Sequence, residues 1–362
     1  MLGQFNLKQI LVLLAGLSLI AAAIVGHIPK TNNIETYLDN SFDGALDYKL
    51  IKYTPSPSDY LYQANDVNGN VIGYVTITSG QGYGGPLTVV LGWSLDGIIQ
   101  SISVPQNNDD KSWWDQLIKC EFFAQYIGRA FDNALILGSD INAVSGSTIS
   151  SNGVALGVHE GRAMLAKQLG KQYPVPEEQI KFGLSEILLA TGLILVVLLR
   201  MAPILKKVRW ARYITLGFGL GLLGIWLDRP LSLTNIVAWF IGSPPHLNTN
   251  FLLYMLVFGV ILLAIIFGKN FYCYWLCPYA AVQEITYKIG RGGLKPTAKW
   301  HKVLQNARYF ILWFALFFAI LLSSSSIAVF EPWGTLFSQN GSIDSWVLLA
   351  VALASGFFIY NA

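Results

Sequence analysis

The chain has 362 residues, 53% hydrophobic and only 12% charged, about half the charged share of an ordinary soluble domain. A net charge of +3 is too small to argue for a nucleic-acid partner, and three cysteines, Cys120, Cys273 and Cys277, exclude a disulfide framework. What remains is a protein with much of its surface in lipid and with length for two or more domains.

The first segment, 1–26, holds the uncharged apolar run 10–26, preceded by Lys8. It is longer than the roughly 7–15-residue apolar region of a secretory signal and is read as an uncleaved transmembrane anchor. Residues 27–180 hold most of the acidic residues with many Asn, Gly and Ser. Alternating stretches at 70–78, 87–93 and 97–104, each bounded by Gly, Pro or Asn, predict strands. Stretches 110–129 and 150–171 have helical patterning. This segment is expected to be an α+β domain that exits at Pro174–Pro176. The third segment, 181–362, predicts transmembrane helices near 184–202, 212–227, 250–268, 308–330 and 345–361, with 231–242 too short to cross.

Charge orients these segments. Arg200, Lys206, Lys207, Arg209 and Arg212 fall in one connection, and Lys269, Lys288, Arg291, Lys295, Lys299, Lys302 and Arg308 in another. The remaining connections hold few cations: Arg229 in one and none across 330–344. The positive-inside rule puts the two basic connections in the cytoplasm. Six spans then place the N-terminus inside and the 27–180 domain outside.

The residues most informative about chemistry are Ser145-Gly146-Ser147-Thr148-Ile149-Ser150, directly before the predicted helix. A turn of small residues feeding a helix N-terminus offers free N–H groups to an anion, and Gly146 permits close backbone approach. Ser150 or Ser151 is a suitable cap. A phosphate is the natural guest, although an ordinary Ser/Thr-rich helix cap fits the same spacing.

SGSTIS resembles the S/T-G-A/S-T-x-S/T flavinylation motif of FMN-binding domains, as found in the Nqr and Rnf respiratory complexes and in NosR-like membrane flavoproteins. The resemblance implies that an ApbE-type flavin transferase, with FAD as donor, links FMN through a phosphoester to Thr148. It implies a cofactor site of Thr148, Ser145, Gly146, Ser147 and Ser150. Gly82-Tyr83-Gly84-Gly85-Pro86 is similar to the GYGGP-type loop that lies close to the flavin in those domains, which adds Tyr83, Gly84 and Gly85. The segment Asn107–Trp114 stands where the family has a His/Glu-Thr-Pro region and departs from it. Trp113, Trp114 and Tyr83 are candidates to stack on an isoalloxazine, although buried aromatics are more often plain core.

A second motif, Cys273-Tyr-Trp-Leu-Cys277-Pro278 followed by Gln283-Glu284, is similar to the CxxxCP…QE element of NosR-like and NapH-like proteins. Thiols four apart on a helical turn point the same way and can reach one metal or iron–sulfur cluster, yet two thiolates are half the usual ligand set; paired structural thiols are the alternative. The run Trp346–Tyr360 stays apolar to within two residues of the last residue, without Lys or Arg. The expectation is that the missing ligands come from another subunit or a C-terminal region outside this sequence. His27 and His246 lack the facing-helix pattern of haem ligands; His159 reads as packed or capping, and His301 as solvated.

The resemblance covers nearly the whole chain. It implies a membrane protein: an N-terminal anchor, an extracytoplasmic FMN-binding domain and a bundle of about five transmembrane helices in the bacterial cytoplasmic membrane. The function it implies is electron transfer from quinol or a cytoplasmic ferredoxin-type donor, through covalent FMN, to an extracytoplasmic redox acceptor. The chain would be an electron-transfer component with no catalytic residue of its own. The alternatives are a maturation or regulatory partner of an exported reductase, or a subunit of an Nqr/Rnf-like complex.

Overall fold

The computed structural model describes residues 7–26, 34–38, 41–55, 58–109, 111–173, 182–201, 209–228, 231–241, 244–245, 247–248, 250–267, 271–290, 297–324, 332–339 and 341–358. The predicted exit at Pro174–Pro176, together with His27 and His246, lies outside them. The chain divides into two compact units. One comprises Met1–Glu177, Ile236–Pro244 and Ala315–Ala328; the other comprises Glu178–Asn235, Pro245–Phe314 and Val329–Ala362.

The first unit opens with α1 (Leu7–Gly26) and α2 (Ile34–Leu38). A five-stranded antiparallel sheet follows in chain order: β1 (Asp47–Pro55), β2 (Ser58–Asn65), β3 (Val71–Gln81), β4 (Pro86–Ser94) and β5 (Ile99–Gln106). The three predicted strands are β3 to β5. Sequence reading missed β1 and β2, where Lys49, Lys52 and the prolines of the TPSPS stretch obscure the alternation. The predicted helix over 110–129 is shorter: α3 (Lys111–Lys119) stops and a 3₁₀ turn, Phe122–Tyr126, follows. Glu121 between them takes a left-handed φ of 51°. Next comes α4 (Thr148–Leu169), which ends on Gly170 in the left-handed conformation.

Alternation along the strands sorts the core into two layers. Leu87, Val89, Leu91 and Trp93 of β4 join Val154, Val158 and Leu165 of α4 in one buried cluster. Val75, Ile77 and Val90 pack on Leu38 and Phe42 in another. Helix α4 lies close on the sheet because it presents Gly153, Gly157 and Gly161, spaced by four on one face. A Cβ on these would stand 2.6 Å from the Gln81 carbonyl oxygen, 2.9 Å from Val89 Cβ and 2.7 Å from Thr76 Oγ1. Each glycine costs the helix about 1 kcal/mol of propensity, and in return the helix start seats directly against the end of β3. Thr78 Oγ1 secures the seat by donating to the Gly157 carbonyl at 2.7 Å. Arg162, fully buried, ties α4 to the preceding loop by donating to the carbonyls of Asn133 and Ala134.

In the second part of the chain α5 (Leu184–Met201), α6 (Arg209–Gly219), α7 (Leu233–Phe240), α8 (Phe251–Phe267), α9 (Phe271–Trp275), α10 (Pro278–Gly290), α11 (Ala298–Leu322), α12 (Pro332–Ser338) and α13 (Ile343–Phe358) follow in order. Helix α6 continues as a π-helical stretch, Leu220–Trp226. Among the described residues two helices, Gln9–Gly26 and Ala298–Leu322, are long and apolar enough to cross a membrane; Leu184–Leu199, Phe251–Phe267 and Ile343–Phe358 are apolar but shorter. The helix expected over 308–330 begins ten residues earlier, because its first turns carry Lys299, His301 and Lys302 and so lack an apolar run; residues 325–330 of that expectation lie outside the described residues.

Candidate functional site

The small-residue turn takes its shape from Gly146, whose φ of +82° is open to glycine at little cost. Helix α4 begins at Thr148, earlier than the expected cap at Ser150 or Ser151. The first intrahelical bond runs from the Ser151 N–H to the Ser147 carbonyl at 2.9 Å, so the N–H groups of residues 148–150 precede it and point out of the helix end.

The hydroxyls of this turn are not equivalent. Ser147, 3% exposed, donates to the Trp113 carbonyl at 2.8 Å and thereby ties the turn to α3. Ser151, fully buried, donates to the Ser147 carbonyl at 3.0 Å and accepts the Val144 N–H. Ser150, 1% exposed, donates to the Asp109 carboxylate. Ser145 is exposed. Thr148 is half-buried, and its hydroxyl has no hydrogen-bond partner among the described residues.

The glycine loop between β3 and β4 meets the same place. Gly82 N–H donates to the Gly85 carbonyl at 2.9 Å, closing the turn. Gly84 N–H donates to Asp109 Oδ1 at 2.6 Å. A Cβ on Gly82 would fall 2.6 Å from the same carboxylate oxygen, and one on Gly84 would fall 2.9 Å from Asp109 Cα. Asp109 therefore joins the loop to the first turn of α4. Sequence reading leaves it unassigned, and its one signal is its place in the segment that departs from the family pattern. Tyr83 packs edge to face on Trp113, with ring centroids 4.6 Å apart and planes at 89°. Trp113 Nε1 is a buried donor with no acceptor among the described residues. Trp114 belongs with the core instead, packing on Phe123.

The two cysteines of the second motif sit on a break between helices. Cys273 lies in α9, and the Leu276 and Cys277 N–H groups both bond the Tyr272 carbonyl, at 2.8 and 3.0 Å. Pro278 then opens α10, a position that needs no N–H donor. Cys273 is exposed and Cys277 is buried. A hydrogen bond from the Cys277 thiol pulls the pKa of Cys273 down to about 7, and the same bond, with burial, pushes Cys277 up. Among the described residues, no set of three or more His, Cys, Asp or Glu is placed to hold a metal ion.

Comparison with known proteins locates both features. Residues 82–162 match the family described as FMN-binding domain, and residues 249–297 match the 4Fe-4S binding domain. The chain is similar to Protein NirI of Paracoccus denitrificans (strain Pd 1222), 29% identical over 175 residues, which are 44% of this chain and 25% of that protein. The match spans about a quarter of the relative's length. The crystal structure of NqrC from Shewanella oneidensis aligns with 41% of this chain and 81% of that one, at 15% identity and a TM-score of 0.27. The two family matches support FMN and a possible iron–sulfur cluster as cofactors.

The residues present fit those groups. An unengaged hydroxyl, outward-pointing N–H groups at a helix start and an orphaned indole donor suit a phosphorylated, heteroaromatic ligand. Two thiols within hydrogen-bond reach of each other suit half the ligand set of a cluster.

Proposed function

We propose that the chain is a membrane-bound electron-transfer flavoprotein whose FMN is held by a phosphoester to Thr148. The domain at 27–180 carries the flavin on the extracytoplasmic face, between the anchor 1–26 and the helical bundle 181–362. Electrons pass from quinol or a cytoplasmic donor to an extracytoplasmic acceptor. Bound FMN supplies two-electron uptake with one-electron release. Cys273 and Cys277 contribute two ligands of a cluster completed by another segment or subunit.

The observation that carries the reading is the state of the hydroxyls. Ser147, Ser150 and Ser151 are buried and bonded within the fold, whereas Thr148 is half-exposed and unengaged at the first position of α4. In the attachment step the Thr148 Oγ forms a bond to the FMN phosphorus of FAD. The pyrophosphate P–O bond breaks, AMP departs, and the hydroxyl proton passes to solvent or a base of the ApbE-type transferase. The helix-end N–H groups favour the phosphate once it is attached.

Reduction of the flavin by a quinol analogue tests the role. Purified chain should bleach at the flavin absorbance within seconds, and reoxidise with a soluble one-electron acceptor. A flavin that quinol leaves oxidised, while dithionite reduces it, would instead favour a maturation or regulatory role beside an exported reductase.

A further inference from the structure

The Cys273–Cys277 turn is gripped from α6, outside the residues that match the 4Fe-4S family. Arg212 and Gly219 are seven residues apart on that helix and so share a face. Arg212 Nε donates to the Tyr274 carbonyl at 3.3 Å. Its Nη1 donates to Glu284 Oε1 at 3.0 Å, and its Nη2 lies 2.8 Å from Oε2. The guanidinium also lies over the Tyr274 ring, 4.4 Å from its centroid. One side chain therefore engages the backbone between the two cysteines and the helix α10 that follows them. Two turns along α6, a Cβ on Gly219 would fall 2.7 Å from the Leu276 carbonyl carbon. Helix α6 thus lies backbone to backbone against the residue before Cys277.

This arrangement has a cost that simple helix packing would avoid. Arg212 and Glu284 side chains are only 27% and 19% exposed, and an ion pair so shielded returns little net stability compared with apolar residues of the same size. What a bidentate guanidinium supplies is a fixed direction. Here the direction is toward a main-chain carbonyl inside the cysteine turn. We propose that Arg212 is a positioning residue of the cysteine site. With Gly219 it fixes the backbone at residues 274–276, and so sets the separation of the Cys273 and Cys277 sulfurs at which both bind one thiophilic centre. The proposal rests on the reading of these cysteines as a ligand pair.

The test uses the full chain in detergent with Cys120→Ser, so that two thiols remain, and phenylarsine oxide as the probe. The arsenical condenses with two nearby thiols, forming two As–S bonds and releasing one water, without redox chemistry. One arsenical per chain should bind, and Cys273→Ser should abolish binding; retained binding in that variant would sink the ligand-pair reading itself. Arg212→Ala removes charge-assisted bonds of a kind whose loss weakens an equilibrium about tenfold or more, and affinity should fall accordingly. Arg212→Lys should recover part of that loss, since an ammonium still reaches one of the two acceptors. Gly219→Ala, which leaves every charge in place, should weaken binding as well and decides the matter if Arg212→Ala does not fold. Covalent flavin, read by in-gel fluorescence, should be unchanged in all of these variants. Wild-type arsenical affinity in both Arg212→Ala and Gly219→Ala would overturn the positioning role while leaving the ligand-pair reading intact.

Discussion

Truncating Asp109 should loosen the flavin site from within. Its carboxylate accepts the Ser150 hydroxyl and, at 2.6 Å, the Gly84 N–H. In Asp109→Ala the Ser150 hydroxyl, only 1% exposed, has no water to replace its acceptor, and an unsatisfied buried donor costs about 1–3 kcal/mol. The bond from the Gly84 N–H is part-buried, and its loss adds roughly 0.5–1 kcal/mol. A total near 2–3 kcal/mol lowers a urea midpoint by about 1–2 M at the slopes usual for a small domain. Pulse proteolysis of membranes in urea, with an antibody to the 41–173 region, reads that midpoint. Asp109→Asn keeps an acceptor oxygen and should lose about half as much. An Asp109→Ala midpoint within about 0.3 M of the parent, well below the shift worked above, would refute the reasoning and reduce the carboxylate to a bystander.

Gly153→Ala should cost more than the roughly 1 kcal/mol that alanine adds in helix propensity, because the new Cβ meets main-chain atoms, 2.6 Å from the Gln81 carbonyl oxygen. A lower urea midpoint together with reduced flavin labelling checks this. Burial raises the Asp59 pKa from 3.8 to about 6, against the Ser79 N–H bond that lowers it and with Glu160 adding to the rise. The folded value exceeds the unfolded one, so this group's stabilising contribution is complete below about pH 4 and is lost as pH climbs through 6. Asp59→Asn should therefore gain on the order of 2–3 kcal/mol relative to the parent at pH 8 over pH 4, by the same urea assay. Topology is checked with an impermeant maleimide on spheroplasts. Cys120 should label from outside and the exposed Cys273 only after permeabilisation; labelling of Cys273 from outside would reverse the orientation.

The parts of the fold legible in the sequence are those with a strong period or a strong punctuation mark. Strands β3 to β5 alternate between glycine-containing turns, and the long apolar runs give helices α1, α5, α8 and α13 close to their expected bounds. Strand β1 escapes because its edge position tolerates lysine and proline, which blunts the pattern, and β2, paired on both sides, is short and rich in polar residues. Helix α4 starts earlier than its serines suggest, because Ser147 stands at the cap with its hydroxyl turned to α3. The glycine loop and the SGST turn are legible as motifs. Their joint dependence on Asp109 is not, since residues 84, 109 and 150 meet only through the tertiary fold. The same holds for Arg212, which the sequence shows only as one more cation among those expected at a cytoplasmic flank. Its link to the cysteine turn needs α6 and α10 side by side.

The intact mass of the full chain, co-expressed with an ApbE-type transferase, tests the central claim most directly. The account predicts an addition of FMN less one water in the parent, partly retained in Thr148→Ser and lost in Thr148→Ala, with both variants still recovered from the membrane. An unmodified parent mass, or the same addition persisting in Thr148→Ala, would contradict it.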